Sequence, residues 1–229
     1  MSKVVTVLLA ALFLSAPLAA EPFVEGTHFE RISSPEAAPT DRVQVIEAFA
    51  YPCPACRNFF PHISQWEKRQ PDFVDFDRLP IALQQGWDLF ARAYYTAQVM
   101  GVDEDAHEAV FKALHDERRS IRSFEDIAGI YSQFDVTTEA FINTSESFAV
   151  DSRMRRNRTD TMRYGVRQTP TVVVQGKWRL SPGGFNSYDQ MLEAIDFLVA
   201  REAATLGLEK EAGDEVAATD EAAHETVSE

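Results

Sequence analysis

The sequence predicts an α/β fold: a mixed β-sheet flanked by helices and interrupted midway by an all-helical insertion. Three observations predict it. Val43–Phe49 is an apolar run of strand length that hands over directly to an amphipathic helix pattern. Residues 84–164 then carry apolar side chains at helical spacing and no strand signal. Strand signals return over 169–174 and 177–180, and a last helical pattern follows.

The elements follow in order. Residues 1–20 read as a secretory signal: Lys3, an apolar run over 4–14, then small residues ending at Ala19 and Ala20. The run is too short to span a bilayer. Residues 21–27 form a short leader, and 28–32 alternate like an edge strand. Pro35 and Pro39 mark 33–41 as a loop. After the central strand Val43–Phe49, Phe59, Phe60, Ile63 and Trp66 predict a helix over 54–69, stopped by Pro71. Residues 73–80 read as the next strand. A strand, a helix and a strand of these lengths imply parallel pairing through a right-handed crossover.

Within the insertion, Trp87, Phe90, Ala91, Tyr94 and Tyr95 share a helix face. Val110, Phe111 and Leu114 share another, then Phe124, Ile127, Ala128 and Tyr131, and a further helix opens at Thr138. Each stripe reads as packing rather than a cofactor site, and the insertion is expected to have a small core of its own. Thr171, Val172, Val173 and Val174 return to strand, Gln175 and Gly176 turn, and 177–180 form the second arm of a hairpin. Met191, Leu192, Ile195 and Leu198 face inward on a helix over 187–202. From 209 onward the chain is rich in Ala, Glu and Asp, which predicts disorder. The expected organisation is a signal at 1–20, an α/β domain from 21–83 and 165–205, a helical insertion at 84–164, and an acidic tail at 206–229.

The chain has 229 residues and a formal charge of −14, which argues against nucleic acid or anionic lipid as a partner. Its two cysteines, Cys53 and Cys56, stand two residues apart where the central strand meets its helix. Pro54 suits the first helical turn, where a missing N–H costs nothing. Free N–H groups there favour an anion, so Cys53 is expected to ionise more easily than a free cysteine. Cys56 lies one helical turn on and can close a disulfide with Cys53. So small a loop adds little stability by chain entropy, which makes a redox couple the stronger reading and a staple the weaker. A structural zinc site wants four ligands, and His28, His62, His107, His115 and His224 are scattered. Export to an oxidising compartment with both cysteines in one motif fits an agent of disulfide chemistry better than a client. Glu47 is an acid in an apolar strand. It is either partly wet or a buried carboxylate of raised pKa near Cys56. Arg153, Arg155, Arg156, Arg158, Arg163 and Arg167 form a basic stretch, read either as a solvated helix face or as a docking surface near Pro170.

The strand, Cys53-Pro54-Ala55-Cys56 and the aromatic helix after it resemble the thioredoxin superfamily. The flank Val45-Ile46-Glu47-Ala48-Phe49 resembles the DsbA family of periplasmic thiol oxidants, and the resemblance covers about 26–203. It implies a thioredoxin-like fold split by the helical insertion, and a monomeric enzyme in the periplasm. It implies that the enzyme oxidises thiols of exported proteins through Cys53 and Cys56, with no cofactor beyond that disulfide. A membrane reoxidant of the DsbB type is implied as its partner. It also implies a cis bond at Pro170, exposing the Thr169 backbone to an extended client segment. Thr169 stands where the family often has valine. Ala55 stands where it usually has histidine, which implies a milder oxidant. Arg78 resembles a basic residue that the family keeps near the acid at Glu47. A reductase or isomerase of the same superfamily is the alternative. Only 21–27 precede the first strand, which leaves no room for the dimerisation module that such isomerases add. A non-catalytic peptide-binding module is the third reading.

Overall fold

The computed structural model describes residues 21–33 and 39–208. The expected signal at 1–20 and the tail from 209 onward lie outside these residues. The strands are β1 (Glu30–Arg31), β2 (Val43–Phe49), β3 (Val74–Pro80), β4 (Thr171–Val174) and β5 (Trp178–Leu180). The helices are α1 (Pro54–Glu67), α2 (Asp88–Met100), α3 (Asp103–Phe111), α4 (Phe124–Tyr131), α5 (Thr138–Ser145), α6 (Phe148–Arg163) and α7 (Tyr188–Leu206). One sheet runs in the order β1-β5-β4-β2-β3, with β2 parallel to β3 and the other pairs antiparallel.

Alternation along β2 decides which residues meet which helices. Val43 and Val45 join Val172 and Val174 on one face, packed against Phe59, Ile63 and Trp66 of α1 and Met191, Ile195 and Leu198 of α7. Ile46 and Ala48 join Leu79 and Val173 on the other face, covered by Tyr164 and Val166. Glu47 belongs by parity with Val43 and Val45, so its carboxyl is directed to the face that carries α1. Pro61 sits inside α1, where it removes one N–H from the helical ladder; the helix continues through it.

The helices α2–α6 fill the interval between β3 and β4, as the pattern predicts. Their core is not their own, which corrects the sequence reading. Phe49, Ala50, Tyr51, Cys53 and Cys56 belong to the same apolar cluster as α2, α3 and α4. The aromatic rings explain it: Phe49 packs on Tyr94 at 5.4 Å between centroids and Tyr51 on Phe111 at 5.1 Å. The helical layer is thus built onto the turn that carries the cysteines. A π-helical segment, Lys112–Asp116, follows α3. It brings His115 Nε2 to the Tyr51 carbonyl at 2.8 Å and Asp116 to Arg57 at 2.6 Å, clasping the start of α1.

Element ends moved where side-chain chemistry outweighed periodicity. The strand read over 28–32 is two residues long. α7 runs past 202 to Leu206, capped by Ser187 at its start and by Gly207 at φ 76° at its end. Gly165, at φ 61°, takes the left-handed turn that leads from α6 towards Pro170. A Cβ at Gly165 would collide with the Arg179 guanidinium.

Candidate active site

Cys53 is the residue before α1, in extended conformation, and Pro54 occupies the first helical turn. The Cys53 sulfur stands by the backbone N–H groups of Ala55 and Cys56 in the first turn of α1. Across from it lies the loop before β4. The Thr169–Pro170 peptide is cis, and the Cys53 thiol donates to the Thr169 carbonyl at 3.4 Å. The two residues are 116 positions apart in sequence. Both cysteines are free thiols here, so this is the dithiol form.

The sulfurs are tuned in opposite directions. Cys53 falls from 9.0 to about 5. A hydrogen bond from the Cys56 thiol lowers it most; the Thr169 side chain and the N–H groups of Cys56 and Ala55 add to that, against a partial burial that raises it. Cys56 is fully enclosed at 0% exposure, and burial pushes its thiol far up, with the Cys53 charge and Glu47 adding to the effect. Cys53 by contrast borders a groove of about 730 Å³ lined by Pro52, Pro54, Leu83, Gln84, Trp87, Arg167, Gln168 and Thr169. Cys53, at 7% exposure, opens onto this groove, whereas Cys56 is sealed at 0%.

Glu47 and Arg78 stand opposite each other in the β2–β3 register, and both are buried, at 2% and 6% exposure. Arg78 Nε lies 3.5 Å from Glu47 Oε2, while its terminal nitrogens reach Glu67 at 2.8 Å and Glu104 at 3.5 Å. Burial raises the Glu47 carboxyl from 4.5 to about 7, although Arg78 pulls the other way. The partly wet reading of Glu47 is therefore excluded. Its charge also raises Cys56, which places the two groups in electrostatic contact. Glu47 Oε2 and Arg78 Nε are both buried without a hydrogen-bond partner.

The structure thus brings Cys53, Cys56, Pro54, Ala55, Thr169 and Pro170 to one place, with Glu47 and Arg78 in the layer beneath. Pro54 directs the chain into α1, and the Ala55 carbonyl accepts from Tyr188 of α7 at 3.1 Å. Sequence reading did not find Leu83, Gln84 and Gln168 as lining residues of the groove. The exposed Leu83, at 40%, carries no signal in a loop read only as a boundary. Nor did it find the buried pair of Tyr51 and His107, at 2.9 Å beneath the cysteine turn. Burial, with the Arg78 charge adding, holds His107 well below 6.5 and hence neutral at neutral pH. Among the described residues no group of three or more His, Cys, Asp or Glu is placed to hold an ion.

Comparison with known proteins bears on this geometry. Residues 84–196 match the family model of the DSBA-like thioredoxin domain. The chain is 33% identical over 186 residues to a thiol:disulfide interchange protein DsbA of Pseudomonas aeruginosa, covering 81% of this chain and 88% of the relative. It is 33% identical to the DsbA of Burkholderia cepacia, covering 87% and 96%. The crystal structure of Pseudomonas aeruginosa DsbA superposes with a TM-score of 0.76 at 33% identity, covering 81% of this chain and 97% of that one. That of Xylella fastidiosa DsbA gives 0.74 at 30% identity, covering 80% and 98%. The fold, the sulfur pair at the start of α1 and these relatives converge: the chain belongs to the DsbA family of protein disulfide oxidoreductases.

Proposed function

We propose that the protein acts in the periplasm and introduces disulfide bonds into exported proteins through Cys53 and Cys56. One observation carries this assignment of roles: a sulfur of low pKa that lines a groove, beside a sealed sulfur of raised pKa. Among the described residues no helix is long and apolar enough to cross a membrane.

The exchange runs through the Cys53–Cys56 disulfide. A client thiolate attacks Cys53 Sγ, the S–S bond breaks, and its electron pair departs on Cys56. A second client thiolate attacks the client sulfur of the mixed disulfide, and Cys53 leaves as a stable thiolate. The client loses two electrons and two thiol protons. The protein gains the electrons, Cys56 keeps one proton, and the other passes to solvent because Cys53 stays ionised at neutral pH. The Thr169 backbone, next to Cys53, supplies an edge on which an extended client can pair. No metal or other cofactor enters these steps. A membrane partner of the DsbB type reoxidises the dithiol, and a single chain suffices for the cycle.

The test is stoichiometric oxidation of a reduced, disulfide-requiring protein by the oxidised enzyme. Recovery of the client's activity supports the reading. Recovery confined to a scrambled client would assign an isomerase instead.

Glu47 acts as the proton relay for Cys56. With a pKa of about 7 it can hold or release a proton at neutral pH, and it is electrostatically coupled to that sulfur. Glu47→Gln is expected to slow the exchange about tenfold or more and to remove the inflection near pH 7 from its rate profile. Stopped-flow rates that match wild type from acid to alkaline pH would discard the relay.

Ala55 sets the strength of the oxidant. It presents no cation to the Cys53 thiolate, so Ala55→His should stabilise the dithiol form and shift the equilibrium with glutathione about tenfold towards it. An unchanged equilibrium constant would show that residue 55 has no part in the tuning.

A further inference from the structure

The two walls of the Cys53 groove differ in chemistry. Pro52, Pro54, Leu83 and Trp87, with the neutral Gln84 among them, line one part of the groove without charge, whereas Arg167, Gln168 and Thr169 of the loop before β4 line the other. Arg167 and Gln168 also line an adjoining hollow of about 410 Å³ with Thr171, Ser181 and Gly184, so the two hollows meet at Arg167.

Arg167 is exposed, and it forms no hydrogen bond or ion pair among the described residues. Neighbouring cations are already engaged. Arg179 donates to the carbonyls of Tyr164 and Gly165 and pairs with Glu30. Arg153 donates to Gln98, and Arg163 pairs with Asp160. Apart from Cys53 itself, Arg167 is the one charged residue lining the Cys53 groove.

The position of Arg167 matches a client held on the Thr169 edge. Arg167 precedes Thr169 by two residues in the loop before β4, and both line the same groove as Cys53. An extended client rises about 3.4 Å per residue, so from a residue paired with Thr169 a side chain about two positions along passes the Arg167 end of the groove. The protein as a whole carries −14 and repels acidic segments at long range, so a preference for them has to arise from a local cation.

We propose that Arg167 is a specificity-determining residue that recognises a client carboxylate. The Glu or Asp lies about two residues from the cysteine that attacks Cys53, on the flank over the loop before β4. On the opposite flank the client meets Leu83, Gln84 and Trp87, where a carboxylate finds no cation. This selection rests on the role assigned to Cys53 above.

The experiment uses the oxidised protein and two-cysteine peptides with Glu, Gln or Lys two residues to either side of the first cysteine. Reactions are quenched in acid, and protein thiols are counted by alkylation and mass. Each rate is divided by the same peptide's rate with a small neutral disulfide, which removes the effect of flanking charge on the peptide thiol. At about 20 mM salt the Glu peptide should exceed the Lys peptide about tenfold on one flank and match it on the other. The ratio should collapse towards one at about 0.5 M salt. Arg167→Glu should invert the order, and Arg167→Gln should bring the ratio to one or below. A Lys preference on both flanks, or the same order in wild type and Arg167→Glu, overturns the proposal. Wild-type exchange with neutral dithiothreitol runs alongside. Its absence would defeat the Cys53 assignment, whereas its presence without a flank preference defeats Arg167 alone.

Discussion

Replacing Cys53 by serine should lower client oxidation to the background rate, a loss of roughly a thousandfold or more. Cys56→Ser leaves no disulfide for a client to open, so client oxidation should fall to the same background; its Cys53 thiolate should still attack an already oxidised client and stay trapped as the mixed disulfide, because no internal thiol remains to release it. The same pair predicts how stability depends on pH. Cys53 falls from 9.0 to about 5 on folding of the dithiol form. A depressed acid stabilises the fold above its unfolded pKa, and the contribution is lost as pH falls through the folded value. The reduced protein should therefore lose about 2–3 kcal/mol between pH ~9 and pH ~5, after a discount for the partial exposure of the sulfur. Cys56, raised rather than lowered, titrates above this window. Glu47 contributes with the opposite sign, but it is present in both redox forms and cancels in their difference. Urea midpoints of reduced and oxidised protein across this range measure the effect. The gap should narrow on acidification, and reduced Cys53→Ser should lack the trend. A gap that is constant from pH ~9 to pH ~5 would remove the thiolate from the account.

Legibility in the sequence follows the range of the interactions involved. The cysteine turn was readable because strand, Pro54 and helix are contiguous, and a low pKa at a helix start needs no distant partner. Thr169 is different. Its carbonyl meets Cys53 across 116 residues of chain, so no local pattern brings the two together, and only the family resemblance pointed to it. Glu47 was visible as a polar interruption in β2, but its burial depends on α1 lying over that face. Its pairing with Arg78 depends on a parallel register that spacing alone does not fix. The expectation of a separate helical core failed for a related reason. Periodicity shows which face of a helix is apolar and says nothing of what covers it; here Phe49 and Tyr51, from the sheet end, do so. Arg167 was visible as part of a basic run, yet the run does not show which of its members lacks a partner.

Arg78→Met is the substitution expected to cost the fold most. The guanidinium is 6% exposed and faces Glu47, Glu67 and Glu104, while its carbon rests 4.8 Å from the Phe76 ring centre. Methionine replaces the aliphatic stem, so packing is largely kept and the charge is lost. Glu47 then remains buried with no counter-charge, for which a loss of about 3–5 kcal/mol is expected at pH ~8. The sign with pH is fixed by the carboxyl. Glu47 already stands at about 7, raised by burial against the pull of Arg78, and removing Arg78 raises it further. A raised acid stabilises the fold below its unfolded pKa, and that stability is lost as pH rises through the folded value. The penalty of Arg78→Met should therefore shrink towards pH ~5, where Glu47 takes a proton, and grow towards pH ~8. Adding Glu47→Leu should recover much of the loss at pH ~8 and little at pH ~5. Unfolding midpoints of the two variants at both pH values decide the matter. A penalty equal at both, with no recovery in the double variant, would mean that Arg78 supports the sheet by shape rather than by charge. Burial would then set the Glu47 carboxyl with no opposing pull from Arg78, and the relay to Cys56 would not depend on the residue opposite it in β3.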